Sequence, residues 1–182
     1  MYFHALKHLN SLLMQKFLLL ATCVFFLSVS CKKSSSTPAT TPDGISATID
    51  GASVTFNTSV TASVSEAGGI HNLTVVGFHA AEGNSDLLSV EIDGDKAVGI
   101  GTYVWPLTAT STQMPVLTYN QFVGSNVYVN DASGAQPVTV TITSLSATSV
   151  SGTFSGTILL NSGSSTTTKK QITDGKFTAT IR

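Results

Sequence analysis

The chain has almost no cysteine and very little charge. Its two cysteines, Cys23 and Cys31, both fall in the first thirty-one of 182 residues. Everything after Cys31 therefore lacks an internal disulfide and a thiol nucleophile, and its stability has to come from a packed core. Nine Lys and Arg stand against ten Asp and Glu. The only adjacent basic pairs are Lys32-Lys33 and Lys169-Lys170. Phosphate recognition needs clustered cations, so nucleic acid is excluded as a partner. Beyond residue 31 no window shows helical periodicity with caps, which argues against a helical domain. The one long apolar run, Phe17 to Leu27, falls short of the about 20 residues that a membrane-spanning helix requires.

That run carries the clearest information in the chain. Lys16 precedes it, the small residues Ser28 and Ser30 follow it, and Cys31 comes next. A basic start, a short apolar middle and small residues at the cut form a secretory signal. A cysteine placed directly after the cut, followed by a polar stretch, is expected to carry acyl chains such as palmitate. Each buried CH2 contributes about 0.8 kcal/mol to membrane binding, and two chains anchor stably. Met14 reads as the true start of translation. The expected organisation is a signal peptide over 1–30, a lipidated tether over 31–44 and a β-domain over 45–182. The tether, KKSSSTPATTPDG after Cys31, lacks large apolar residues and carries two prolines, the composition of a partly extended linker. Lys7 and Lys16 leave with the signal, so the mature chain is weakly acidic. Lys32-Lys33 adds weak attraction to anionic head groups.

From Ile45 onward the pattern alternates with period two, the signal of half-buried strands. Ile45, Ala47 and Ile49 lead into Asp50-Gly51, a two-residue hairpin turn. Ile70 to Ala80 is apolar on both faces and predicts a central, doubly covered strand. Leu88, Val90 and Ile92 alternate with Ser89 and Glu91. Val98 to Trp105 predicts a strand stopped by Pro106, and Leu107 to Pro115 a long loop. Val138, Val140 and Ile142 alternate with three threonines, and Phe177, Ala179 and Ile181 close the chain. Nine or ten short strands rich in β-branched residues predict an all-β, antiparallel β-sandwich, with a β-barrel as the alternative.

Candidate chemistry is sparse. His71 and His79 are eight residues apart on one predicted strand, roughly 26 Å at about 3.3 Å per residue, too far to share a metal. Glu91, Asp93 and Asp95 cluster near a turn, but three carboxylates fall short of the six to eight ligands that Ca2+ takes. Gly152-Thr153-Phe154-Ser155-Gly156 has the wrong spacing for a nucleophile elbow, and alternation puts Ser155 on the surface. The expectation is no catalytic residue, no cofactor, no metal and no enzyme. Aromatics concentrate between Tyr103 and Tyr128. Tyr103, Trp105 and Tyr119 are candidate ligand-binding residues, because exposed rings stack on sugar faces. The expected role is a non-catalytic domain for protein interaction or structure. The alternative is a glycan-binding module centred on Trp105.

Val140-Thr141-Ile142-Thr143, Ser151-Gly152-Thr153-Phe154 and Ile172-Thr173-Asp174-Gly175-Lys176-Phe177 resemble the closing pattern of a family of uncharacterised Bacteroidetes envelope lipoproteins. Ala47-Thr48-Ile49-Asp50-Gly51 and Gly101-Thr102-Tyr103 are similar to its earlier strands. The resemblance implies an outer-membrane lipoprotein with a β-sandwich-like domain, and it carries no catalytic residue. Surface-exported relatives often place acidic residues just after the cysteine. Lys32-Lys33-Ser34-Ser35 does not, which implies the periplasmic face of the outer membrane, with an envelope protein or glycan as partner.

Overall fold

A computed structural model describes residues 42–81, 84–161 and 168–182. The expected signal peptide, Cys31 and most of the tether lie outside the described residues. Among the described residues there is no helix. Eleven strands follow one another: β1 (Gly44–Ile49), β2 (Ala52–Phe56), β3 (Thr58–Ala67), β4 (Ile70–Ala81), β5 (Asn84–Gly94), β6 (Gly101–Trp105), β7 (Gln113–Gln121), β8 (Asn126–Asn130), β9 (Val138–Leu145), β10 (Ser149–Leu160) and β11 (Lys169–Thr180). The protein is all-β and antiparallel, as its alternation predicts. Its strands form one nearly closed, barrel-like sheet, which is the architecture the sequence left as the alternative to a sandwich.

The hydrogen-bonded order is β2-β1-β11-β10-β8-β7-β5-β4-β3, with β9 on the other half of β10 and β6 on β9. The two ends of this path, β2 and β3, are separated in sequence by Asn57 alone. One bent strand thus serves both edges, pairing with β1 through Ala52–Phe56 and with β4 from Thr58 onward. A bulge between Thr58 and Thr61, with Ser59 at φ 51°, sharpens the bend. At the lower end, where the chain enters β1, Ala62 bridges Ile181 in parallel and its carbonyl accepts the Arg182 N–H at 2.9 Å. The Asp50-Gly51 turn marks the upper end, both residues at positive φ as the hairpin requires.

Between β7 and β8 the strands diverge below Tyr119, and a side chain fills the gap. Asn130 Oδ1 accepts the Leu117 N–H at 2.9 Å, and its Nδ2 donates to the Pro115 carbonyl at 2.7 Å. The amide thereby replaces one peptide unit of an absent strand.

The inward residues of every sheet position meet in one core. Ile45, Phe56, Leu73, Leu88, Leu117, Val138, Val140, Ile142, Ile158 and Ile172 are all buried. β4 departs from its sequence reading: Leu73 and Val75 are buried, whereas Val76 and Phe78 are only half-buried on the outer face. Phe78 lies opposite Leu87 and Thr58, so cross-strand packing covers it in place of a second layer. The strand predicted over Val98 to Trp105 starts later, at Gly101, and β7 begins within the predicted loop, at Gln113.

Two glycines make the core between β10 and β11. Gly152 pairs with Phe177 and Phe154 with Gly175, and the two rings lie 6.3 Å apart. Each ring lies over the partner's glycine: a Cβ on Gly152 would sit 2.5 Å from Phe177 Cζ, and one on Gly175 2.5 Å from Phe154 Cδ2. Each would also strike a backbone carbonyl, of Thr141 and Phe154 respectively. Gly152→Ala is expected to cost about 3 kcal/mol, as overpacking a filled core does. Gly99→Ala, where a Cβ meets nothing within 4 Å, is expected to be neutral. Urea unfolding of the two variants measures the contrast, and equal stabilities would refute this packing.

Candidate functional site

The upper part of the barrel holds the densest set of polar and aromatic side chains. Phe56, fully buried, meets His79 edge-on at 6.1 Å and Tyr119 edge-on at 6.2 Å. Tyr119 stacks on Tyr128 at 6.0 Å, and Lys170 Nζ lies 5.6 Å from the Tyr128 ring centre. These residues come from β2, β4, β7, β8 and β11, so the ring closure itself assembles the row. It seals the barrel with aromatic edges and faces in their favoured geometries.

The polar ends of the row are held by one another. Tyr119 donates to Asp86 Oδ2 at 2.5 Å, and Asp86 Oδ1 accepts the Phe122 N–H at 2.8 Å. Burial pushes the Tyr119 phenol up, and the hydrogen bond and charge of Asp86 push it further, so it remains a donor. Lys170 donates to Asp50 Oδ2 at 2.8 Å, and Asp50 Oδ1 accepts the Gln171 N–H at 2.9 Å. Burial opposes ionisation of Asp50, but these bonds and the Lys170 charge outweigh it and hold the carboxyl below its usual value. The same bond raises Lys170 against the opposing effect of its own burial. His79 Nδ1 donates to the Thr55 carbonyl at 2.7 Å.

The three aromatic candidates do not share an open face. Tyr103 is buried, its hydroxyl donating to the Gly99 carbonyl at 2.8 Å and accepting the Gly99 N–H at 3.0 Å. Tyr119 is buried in the row described above. Trp105 is half-buried, and its Nε1 donates to the Asp131 carbonyl at 2.8 Å. Beside it, Ser133 donates through its hydroxyl and its N–H to Asp131 and holds that carboxyl below its usual value.

The remaining ionisable candidates are each engaged separately. Asp93 accepts from Asn72, Glu91 from Ser89 at 2.7 Å, and Asp95 from Thr112. His71 faces Glu66 at 3.6 Å, near the opposite end of β4 from His79. Among the described residues no group of three or more His, Cys, Asp or Glu is placed to hold a metal ion. Ser155 is exposed, as alternation predicts.

Concave surface lies on the outside. A groove of about 390 Å³ follows the start of β1 beside Thr55, Asn57 and Lys176. A second, of about 450 Å³, lies at the β7–β8 turn. That turn also carries Phe122, 59 % exposed, and Val123, 61 % exposed. The sequence reading centred on Trp105 passed over this pair. Its signal was two apolar residues inside a turn, Phe122-Val123 before Gly124-Ser125, where turn chemistry calls for polar ones.

The Asp50–Lys170 pair gives a pH signature. The stabilisation from Asp50 is complete above its ordinary pKa of 3.8 and is lost as pH falls through its lower folded value. Asp50→Asn is expected to cost about 0.5 kcal/mol at pH 6, the size of a partly exposed pair. The difference from the unsubstituted protein should shrink as acid protonates Asp50. Thermal melts of both proteins across the acid range check this, and a gap that does not shrink as pH falls below 3.8 would contradict it.

No protein-family model, curated protein or solved structure matches the chain, so its reading rests on the fold and on these side chains.

Proposed function

We propose that the protein is a membrane-anchored envelope lipoprotein whose β-domain is non-catalytic and acts by protein interaction. Acyl chains on Cys31 hold it at the periplasmic face of the outer membrane, in keeping with its resemblance to Bacteroidetes lipoproteins. The anchor rests on the apolar run, the small residues and the cysteine that follows them. The non-catalytic reading is supported by a filled core and by ionisable side chains engaged in separate contacts.

The observation that carries the interaction reading is the β3–β4 hairpin. Ser63–Ala67 is exposed throughout, and Val64 and Ile70 are each 53 % exposed. Gly68 and Gly69, at φ 60° and 80°, make the tight turn. β3 pairs with β4 alone, apart from the bridge at Ala62. The Ala62 carbonyl faces outward to Arg182, so strand alternation turns the backbone groups of Val64 and Glu66 to the same free edge. Ser63–Ala67 holds no proline and no lysine, the usual guards of an edge. A partner's extended segment can add there as a further strand.

A photo-crosslinking residue at Val64, in cells labelled with alkynyl palmitate, tests both parts. The expected result is a palmitate-labelled protein with a discrete crosslinked product that is absent when the probe sits at Thr143. Cys31→Ser should abolish the label and release the protein from membranes. Label retained by Cys31→Ser would overturn the anchor. No product at Val64, or the same product at Thr143, would overturn the interaction site.

A further inference from the structure

We infer that the groove at the β7–β8 turn is a binding site for a neutral carbohydrate, seated by Phe122 and the amides around it. This goes beyond the interaction reading and depends on neither the anchor nor the hairpin. The groove is walled by Ser85, Asn120, Gln121, Phe122 and Asn126. None of its lining residues is ionisable, which disfavours anionic polymers and cations alike. A sugar presents an apolar C–H face and a rim of hydroxyls that both donate and accept. The groove offers the matching groups: an aromatic face, and planar amides that each hold a donor and an acceptor.

Three observations favour a built site over a loose turn. The Phe122 N–H is fixed by Asp86 at 2.8 Å, and Asp86 is fixed in turn by Tyr119 from the barrel interior. The backbone that carries the 59 % exposed ring is therefore fixed before any ligand arrives, which lowers the ordering cost of binding. The Ser125 N–H closes the turn on the Phe122 carbonyl at 3.2 Å, with Gly124 and Ser125 at positive φ. Finally, Asn120 Oδ1 is the one buried side-chain atom among the described residues without a hydrogen-bond partner. Asn120 itself lines the groove, and turning its amide to present that oxygen to a sugar hydroxyl breaks no bond of the oxygen and gives it the donor it lacks. The turn lies at the upper end, remote from Gly44, so the groove opens away from the start of the domain.

The test is calorimetric titration of the detergent-solubilised mature protein with hexaoses of β-linked glucose, α-linked mannose and N-acetylglucosamine. At least one should bind with Kd near or below about 1 mM. Phe122→Ala and Asn120→Ala should each weaken it at least about tenfold, whereas Phe122→Trp retains it, with unchanged thermal melts for all three. Cys31→Ser should bind as the unsubstituted protein does, which separates this site from the anchor. Should Phe122→Ala fail to fold, Asn126→Ala takes its place with the same expected loss. No heat with any of the three at about 10 mM, or binding that survives both Phe122→Ala and Asn120→Ala, would overturn the inference. Displacement of the sugar by polygalacturonate would overturn its neutral-ligand character. A protein crosslinked at Phe122 without sugar binding would assign the turn to a protein partner instead.

Discussion

Phe56 sits where the barrel closes, and its contact with Gly77 governs that closure. The strand running from β2 into β3 crosses from one edge of the sheet to the other within one residue, Asn57. A Cβ on Gly77 would stand 2.9 Å from the Phe56 carbonyl and 3.2 Å from Ile45 and Val60. The missing side chain on β4 is thus the space through which the bent strand passes. The Phe56 ring then fills the interior between His79 and Tyr119. Removing a buried phenylalanine costs about 3–5 kcal/mol in general. Here the loss falls on the residue that joins both edges, so fold and closure share one contact.

Closure decides where function can lie. An open sheet leaves two edges and a face for ligands, whereas a nearly closed and filled barrel leaves its ends, its outer wall and short unpaired stretches of edge. The interior of this domain is occupied by aliphatic side chains, by the Phe154–Phe177 pair and Tyr103, and by the Phe56–Tyr119–Tyr128 row. The Tyr119 hydroxyl and the carboxylates of Asp86 and Asp50 near the row are engaged by one another, by Lys170 or by backbone. What remains for recognition is carried by projections: the β3–β4 hairpin at the lower end and the β7–β8 turn at the upper. Asp86 links interior to exterior, since one carboxylate holds both a core tyrosine and the backbone of the exposed turn.

Local pattern was legible in the chain and distant pairing was not. The alternation of Val138, Val140 and Ile142 with threonines marks β9 correctly, and Asp50-Gly51 marks the first hairpin, because each signal lies within a few residues. Barrel closure depends on β2 meeting β1 while β3 meets β4, and no periodicity encodes which remote strands pair. The reciprocal nesting of Phe154 and Phe177 over Gly175 and Gly152 is invisible for the same reason, as is the Asn130 amide standing in for a strand. The aromatic residues between Tyr103 and Tyr128 look alike in sequence. Only tertiary structure separates Tyr103 and Tyr119, whose hydroxyls have partners in the fold, from Phe122, which stands in solvent.

The account depends on one claim above all: β2 and β3 form a single strand that closes the barrel. Amide hydrogen exchange of the folded protein, resolved by residue, tests it directly. Closure predicts that the bonded amides of β2, of β3 up to Ala62 and of the β4 residues opposite them exchange as slowly as those of β10 and β11, in one cooperative unit. Rapid, independent exchange of Ala52–Phe56 or of the upper half of β3, with β10 and β11 still protected, would show an open sheet and contradict it.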